Sequence, residues 1–153
     1  MKVIRSKDYK LMAKLSRYVH DLHVRLYPEY FKPYDQESFI AFYKELVDQD
    51  KLIFLVLEDL LEPVGFAMVE VKQYPETIFK KAYQSVYVHQ ISISDKKQNK
   101  GYGTMLMKEI EALAYQKGIH RIELDYWSNN EIAKSFYKKN KFIIYQEHVY
   151  KKL

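Results

Sequence analysis

The sequence predicts an α/β fold in which helices flank both faces of a mixed, mostly antiparallel central sheet. Segments with helical spacing of apolar residues are interspersed with strand-like apolar runs, in the order β-α-α-β-β-β-α-β-α-β. A short turn joins one pair of strands as a hairpin, whereas helical segments separate others, and this combination is typical of a mixed sheet. The 153 residues contain no repeat or linker-like segment, so we expect a single domain over residues 1–153.

The first half of the chain is predicted to hold three strands and two helices. KVIR at residues 2–5 favours a short strand, and the apolar spacing over residues 8–26 predicts a helix that Ser6 or Asp8 can cap. Prolines then interrupt regular structure. The other elements of this half are a helix at residues 36–48 and two hairpin strands at residues 51–59 and 64–74.

The second half continues with three strands and two helices. SVYVHQISIS at residues 85–94 predicts a strand, and a helix follows a glycine-containing turn over residues 102–116. IHRIELDYW predicts a strand at residues 119–127, and NNEIAKSFYKKN predicts a short helix at residues 129–140. The alternating apolar residues of KFIIYQEHVYKKL predict a final strand at residues 141–153.

Charge and composition limit the classes of partner. The net charge of +5 favours anionic partners, which include nucleic acid and polyphosphate cofactors. The basic residues are scattered rather than clustered, so we expect no nucleic-acid binding. The absence of cysteine excludes disulfides, thiolate metal sites and a cysteine nucleophile, and it fits a reducing compartment. With no signal-like or membrane-spanning apolar run, the chain is expected to be cytoplasmic with no membrane partner.

Two glycines stand one residue apart, at Gly101 and Gly103, where a basic loop opens into a helix. The segment lacks the lysine of a P-loop, and Leu106 stands where a dinucleotide fingerprint needs a third glycine. Two interpretations stay open from these residues alone. The turn either presents backbone N–H groups and a helix N-terminus to a phosphate, or it is a tight turn that binds nothing.

Two motifs resemble those of one known family. QNKGYGTMLM is similar to the pyrophosphate loop, Arg/Gln-x-x-Gly-x-Gly/Ala, of the GCN5-related N-acetyltransferase (GNAT) family. NNEIAKSFYKKNKF is similar to that family's Asn-x-x-Ala-x-x-Phe-Tyr-x-x-x-Gly-Phe motif, although Asn140-Lys141 replaces the usual glycine step before Phe142. The motifs span residues 87–142 with the strand that precedes the loop, and the predicted order of elements extends the resemblance along the chain.

The resemblance implies an N-acetyltransferase that moves an acetyl group from acetyl-CoA to a primary amine. The acceptor would be a small molecule or a peptide, and the amine would attack directly in a ternary complex. The alternative is a module of the same fold that binds acyl-CoA without catalysis. The residues expected to bind the co-substrate are Ile91, Ser92, Ile93, Gln98, Asn99, Lys100, Gly101, Tyr102, Gly103, Thr104, Asn130 and Tyr137.

Tyr137 and Asn130 each have two open roles. Tyr137 matches the family's tyrosine that donates a proton to the departing thiolate, and a phenol of pKa near 10 suits that task. It can also serve only as a packed aromatic residue beside Phe136. Asn130 matches a position that contacts CoA, and it is equally suited to cap the helix that follows it.

The general base has two candidates. Strand alternation places Tyr87, His89, Ile91 and Ile93 on one face, and His89 is the first candidate because histidine titrates near neutral pH. It would act directly or through a water, or it could be an ordinary sheet histidine. Glu70 on the neighbouring strand is the second candidate. The backbone of residues 91–93 resembles the segment that pairs with the pantetheine arm.

The acceptor side is the least specified by the sequence. The aromatic-rich region over residues 20–45 is expected to wall the acceptor pocket, as the corresponding segment does in the family. Its acidic residues Glu29, Asp35 and Glu37 can attract an amine or can be plain solvated charges. The pair His20 and His23 has no third ligand at useful spacing, so we expect no metal site. The final strand could pair with a second copy, which leaves a homodimer open.

Overall fold

A computed structural model describes residues 1–97 and 100–153 of the chain. Its centre is one five-stranded sheet whose strands lie side by side in chain order. The first four strands pair antiparallel, and the fifth pairs parallel to the fourth. The predicted mixed, mostly antiparallel sheet is therefore confirmed. The strands are β1 (Lys2–Arg5), β2 (Leu52–Asp59), β3 (Glu62–Tyr74), β4 (Tyr83–Ile93) and β5 (Ile122–Glu123).

Four α-helices accompany the sheet in the described part of the chain, and the sequence placed each of them closely. They begin where polar caps were expected: the Asp8 carboxylate accepts a hydrogen bond from the Leu11 N–H at 3.0 Å, and Asp35 accepts one from the Ser38 N–H at 2.9 Å. A short 3-10 turn over Asp95–Lys97 precedes the third helix. The helices are α1 (Tyr9–Leu26), α2 (Gln36–Leu46), α3 (Tyr102–Gln116) and α4 (Glu131–Lys139).

Apolar cores lie on both faces of the sheet. On one face α3 packs through Leu106, Ile110 and Leu113, which are almost fully buried against the sheet. On the other face α1 and α2 pack through Met12 and Tyr43. Full burial of a side chain of this size contributes roughly 1.5–3 kcal/mol, so the two layers hold the sheet in place. The prediction of helices on both faces is confirmed.

A β-bulge at His89 breaks the alternation of β4. Met68 pairs with Gln90 but Val69 pairs with Val88, so His89 is an extra residue opposite β3. Ile91 and Ile93, like Val86 and Val88, pack toward α3. The expectation that Tyr87 and His89 share one face with these isoleucines is wrong, because the inserted residue shifts the pleat by one position.

The last two predicted strands differ most from the structure. The strand expected over residues 119–127 is reduced to Ile122–Glu123, and residues 142–153, all described, form no strand. β5 pairs with β4 only at Val86 and Tyr87, so it offers too short an edge for a further ladder. The apolar side chains of the final segment are accordingly exposed, with Ile143 at 86% and Val149 at 85%. None of the helices in the described residues has the length and apolarity needed to cross a membrane.

Candidate active site

Glu70 on β3 and His89 on the bulge of β4 form a close pair. His89 Nε2 lies 2.7 Å from Glu70 Oε2, and Lys51 Nζ lies 3.5 Å from the other carboxylate oxygen. Burial alone would raise the pKa of Glu70, but the hydrogen bond from His89 and the charge of Lys51 outweigh it and lower that pKa. An ionised carboxylate only accepts hydrogen bonds, so Nε2 is the donor and Nδ1 is left to accept a proton.

The two residues that the sequence offered as alternative bases are thus one hydrogen-bonded unit. The bulge produces this contact, because it directs the extra side chain of β4 toward the neighbouring strand. Their side chains are partly accessible, with His89 at 28% and Glu70 at 13%. A carboxylate that orients an imidazole and stabilises its protonated form is the usual support for a histidine base.

Tyr87 connects this pair with the segment that follows β5. Its ring lies 4.9 Å from the His89 ring, and its hydroxyl donates to Asp125 Oδ2 at 2.5 Å. The ammonium of Lys72 lies 3.7 Å from the centroid of the same ring. Burial raises the pKa of Tyr87, and the hydrogen bond and charge of Asp125 raise it further, so the phenol is neutral at physiological pH.

Tyr137 on α4 lies among aromatic rings. The ring centroids of Tyr126, Phe136 and Phe142 are 5.7, 5.2 and 5.5 Å from its own. Burial in this cluster, followed by the nearby charge of Asp125, raises the pKa of Tyr137 to about 12. The residue therefore has the aromatic packing of a core residue and, at the same time, a hydroxyl that stays protonated and able to donate.

The two glycines of the turn serve different structural purposes. Gly101 precedes α3 with a φ of 83°, a left-handed conformation that L side chains rarely adopt. A Cβ atom on Gly103 would lie only 3.1 Å from the Phe136 ring. The small residue lets α3 approach α4 closely, so the turn and the helix that carries Tyr137 are packed together.

Side chains around this turn form hydrogen bonds and ion pairs with other residues of the protein. The Tyr102 hydroxyl donates to Asp59 Oδ2 at 2.7 Å, and Lys97 Nζ lies 3.4 Å from the same oxygen. Tyr102 is thus left to meet a ligand through its main chain. Lys100 is exposed and Thr104 is half-buried. Gln98 and Asn99, which the sequence also suggested for co-substrate binding, lie outside the described residues.

The carboxyl end of β4 extends beyond its pairing with β5. β5 ends at Glu123, opposite Tyr87, whereas β4 continues to Ile93. In the part of the chain that the structure describes, the main chain of residues 91–93 therefore has a strand neighbour only on the β3 side. The Ser92 hydroxyl donates to the Leu15 carbonyl at 2.6 Å, so its side chain serves to join β4 to α1.

Asn130 acts as the N-cap of α4. Its Oδ1 accepts a hydrogen bond from the Ala133 N–H at 3.0 Å, and the residue is only 5% exposed. The capping role that the sequence left open is therefore present. It leaves the amide NH₂ of the side chain as the group with which Asn130 could meet a ligand.

Four aromatic residues form what we call the aromatic wall: Tyr27, Tyr30, Phe31 and Trp127. The Trp127 ring lies 4.6, 5.6 and 5.1 Å from the rings of the other three, in that order. The Asn129 N–H donates to the Tyr27 hydroxyl at 2.8 Å. These contacts join the segment after α1 to the loop between β5 and α4, one residue from Tyr126, whose ring stacks on Tyr137.

Four of the other residues suggested for the acceptor side have structural contacts. Asp35 caps α2, and Glu29 lies 3.8 Å from Lys152. His20 Nε2 lies 2.7 Å from the Lys32 carbonyl, while His23 packs on an aromatic neighbour and its pKa is lowered by burial and then by His20. No group of three or more metal-ligating side chains is found among residues 1–97 and 100–153.

The sequence analysis did not identify four residues of the candidate site: Asp125, Lys72, Lys51 and Trp127. An acidic residue within the apolar run IELDYW is the one local sign that could have drawn attention to Asp125. Its hydrogen bond to Tyr87 depends on which strand β5 pairs with and in which register. Neither can be predicted from the local sequence pattern.

Residues 17–142 match the model of the acetyltransferase (GNAT) family. No curated protein matches the chain significantly.

Solved structures give the same fold. The chain is similar to the tetramutant of BH1408 protein from Bacillus halodurans, with 22% identity, a TM-score of 0.93 and coverage of 100% of both chains. It is also similar to aminoglycoside 6'-N-acetyltransferase AAC(6')-IG from Acinetobacter haemolyticus, with 13% identity, a TM-score of 0.73 and coverage of 100% and 98%. A third match is aminoglycoside N-acetyltransferase AAC(6')-Iy in complex with CoA, with 14% identity, a TM-score of 0.69 and coverage of 99% and 93%.

Proposed function

The chain belongs to the acetyltransferase (GNAT) family, and from that membership we propose that it acts as one N-acetyltransferase domain over residues 1–153. The reaction would transfer an acetyl group from acetyl-CoA to a primary amine by direct attack in a ternary complex. The observation that carries this proposal is the pairing of His89 with Glu70 at 2.7 Å, together with Tyr137, whose raised pKa keeps its hydroxyl protonated. Such a transfer needs one group that accepts a proton from the amine and another that donates a proton to the leaving thiolate.

His89 is proposed to take the proton from the acceptor amine. Only the neutral amine has a lone pair for attack, and the Nδ1 of His89 is left to accept a proton, directly or through a water. The Glu70 carboxylate fixes the orientation of the ring and stabilises the imidazolium that forms. Lys51 in turn keeps Glu70 ionised, so that the carboxylate does not itself take up the proton.

Tyr137 is proposed to protonate the leaving thiolate. Its pKa of about 12 leaves the hydroxyl fully protonated at neutral pH. The phenol is therefore available as a donor through the whole reaction. The acetyl carbon forms its bond to nitrogen, the bond from carbon to sulfur breaks, and the sulfur receives the tyrosine proton. The proton that His89 took from the ammonium returns to solvent, and the nitrogen loses its second proton to solvent as the amide forms. Tyr137 is reprotonated from solvent, so that one proton is released overall.

Acetyl-CoA is proposed to lie along the carboxyl end of β4 and against the turn before α3. The free side of the main chain at Ile91, Ser92 and Ile93 suits the amide groups of the pantetheine arm. The turn at Gly101 suits the pyrophosphate, since backbone N–H groups and the positive end of α3 favour an anion. Lys100, Tyr102, Gly103, Thr104 and Asn130, with Gln98 and Asn99, complete the proposed binding set.

The acceptor is proposed to be a small molecule or peptide with one ammonium group beside an apolar body. The carboxylates near the site already have partners within the protein: Glu70 pairs with Lys51 and with the His89 ring N–H, and Asp125 accepts the hydroxyl of Tyr87, over whose ring Lys72 lies. Two of the similar structures are aminoglycoside acetyltransferases, and aminoglycosides carry several ammonium groups. Such polycations call for uncompensated carboxylates, whereas the aromatic wall suits an apolar group.

One assay separates this proposal from a module that binds acyl-CoA without catalysis. Acetyl-CoA should raise the melting temperature in either case, by mass action. Only the enzyme releases free thiol in an amine-dependent manner. A panel of arylalkylamines, alkylamines, N-terminal peptides and aminoglycosides should give the highest kcat/KM for amines with one ammonium and an apolar body. Preference for the polycations would contradict the proposed acceptor class but leave the acetyltransferase activity supported.

A further inference from the structure

Asp125 lies at the point where the main-chain pairing of β4 and β5 ends. The last paired residues are Tyr87 and Glu123, and Asp125 follows two positions later. Its carboxylate accepts the Tyr87 hydroxyl at 2.5 Å, so a bond between side chains continues the connection where backbone hydrogen bonds stop. A hydrogen bond to a charged acceptor is about twice as strong as a neutral one, which makes this contact a firm link between the strands.

Tyr87 is held from both sides by charges of opposite sign. The Lys72 ammonium lies over its ring at 3.7 Å, and the Asp125 carboxylate binds its hydroxyl. The ring itself lies 4.9 Å from the His89 ring. A phenol whose pKa is raised in this way cannot serve as a base, so its contribution must come from its position or its hydroxyl proton.

Asp125 also acts on the opposite side of the site. Its charge contributes to the raised pKa of Tyr137, and the next residue, Tyr126, stacks on the Tyr137 ring at 5.7 Å. The same short segment therefore contacts Tyr87, which packs on the candidate base, and the helix that carries the candidate acid. The charge of Asp125 raises the pKa of both Tyr87 and Tyr137, so this one carboxylate acts on both tyrosines.

We propose that Asp125 is a positioning residue that fixes the Tyr87 ring against the His89 imidazole and so holds the base in register with Tyr137 across the carboxyl end of β4. This inference rests on the proposed acetyltransferase function. Asp125 acts through the acceptor oxygen that it offers to Tyr87. An alternative, in which its charge binds the substrate ammonium directly, predicts a different ranking of variants.

The test is a double-mutant cycle on the full chain. Asp125→Ala and Tyr87→Phe each remove the bond between the two side chains, and each should lower kcat about tenfold, the effect of roughly 1.4 kcal/mol. The double variant should fall no further than either single variant, because the same bond is lost in all three. Asp125→Asn keeps an acceptor oxygen for Tyr87 and should stay within about threefold of the unmodified chain. KM for acetyl-CoA should not change.

Asp50→Ala provides the matched control, because Asp50 is an exposed carboxylate in the turn before β2. Melting temperatures with and without acetyl-CoA show whether each variant is folded and binds its co-substrate. Additive losses in the double variant, an unchanged kcat in Asp125→Ala, or an Asp125→Asn as poor as Asp125→Ala would each overturn the inference. The last outcome would indicate that the charged carboxylate of Asp125 binds the substrate ammonium directly. An unmodified chain that binds acetyl-CoA yet acetylates no amine would overturn the proposed function, and this inference with it.

Discussion

Glu70 and His89 occupy a polar part of the candidate site, whereas Tyr137 lies in an aromatic one. We call the pair Glu70 and His89 the base end, and Tyr137 with its ring neighbours the acid end. At the base end, Lys51 and His89 overcome the effect of burial and lower the pKa of Glu70. At the acid end, burial dominates and raises the pKa of Tyr137 to about 12. The difference teaches how one small site can keep one group ready to accept protons and another ready to donate them.

The two ends also differ in the backbone that carries them. The base end depends on a bulge that places His89 beside Glu70, while the acid end is carried by a helix that packs on α3 through Gly103. A change at one end should therefore leave the folding of the other largely intact. Variants at each end can test the comparison separately.

The largest effect is expected at the acid end. Tyr137→Phe keeps the ring and its packing but removes the proton donor, so kcat should fall by about 10²–10⁴, the usual contribution of a general acid. Steady-state thiol release checks kcat, and the thermal shift with acetyl-CoA checks binding, which should persist. Tyr126→Phe removes a hydroxyl from the adjacent ring and should change kcat little. If Tyr137→Phe is as active as the unmodified chain, Tyr137 serves only in aromatic packing and is not the proton donor.

A smaller loss is expected at the base end. His89→Ala should lower kcat/KM by about 10²-fold at neutral pH, because the acceptor amine then loses its proton only to water. The loss should shrink as pH rises, since more of the amine is already neutral. A pH–rate profile of kcat/KM provides the measurement. A profile parallel to that of the unmodified chain would show that His89 takes no part in the proton transfer.

The glycine turn offers a matched comparison between two left-handed positions. Gly101→Ala and Gly118→Ala both force an L side chain into positive φ, which costs about 1–2 kcal/mol. Neither Cβ would meet another atom within 4 Å, so strain is the common effect. Calorimetry should show similar destabilisation in both variants. KM for acetyl-CoA should rise only in Gly101→Ala. An equal rise in both variants would show that the turn at Gly101 has no specific role in binding the co-substrate.

The smallest effect concerns acid stability. The folded-state pKa of Glu70 is lowered, so its ionised form stabilises the fold above the unfolded-state pKa near 4.3, and this stabilisation is lost as pH falls through the lower folded-state value. Glu70→Gln should be less stable than the unmodified chain at pH 7, and the gap should narrow below about pH 4. Melting temperatures from pH 7 to pH 3 check this, and a constant gap would contradict it.

Local patterns in the sequence sufficed for much of the fold. The caps at Asp8 and Asp35 and the apolar spacing of α1 and α3 are determined within a few residues, so those helices could be placed from the sequence. The turn at Gly101 and the position of Tyr137 were likewise accessible through their motifs. In each case the determining interactions lie within one segment.

Features that depend on pairing between distant segments could not be predicted. The bulge at His89 exists only relative to β3, and it reversed the expected face of Ile91 and Ile93. The final segment alternates like a strand but lacks a neighbouring edge long enough to pair with, because β5 is only 2 residues long. Asp125 became visible only once β5 was placed beside β4.

Amine-dependent release of thiol from acetyl-CoA, with mass detection of the acetylated amine, tests the central claim most directly. The unmodified chain should release thiol in a one-to-one ratio with acetylated product, at a rate that saturates with both substrates. Acetyl-CoA that stabilises the chain in a thermal shift but yields no acetylated product with any amine in the panel would contradict the claim and leave a non-catalytic acyl-CoA-binding module.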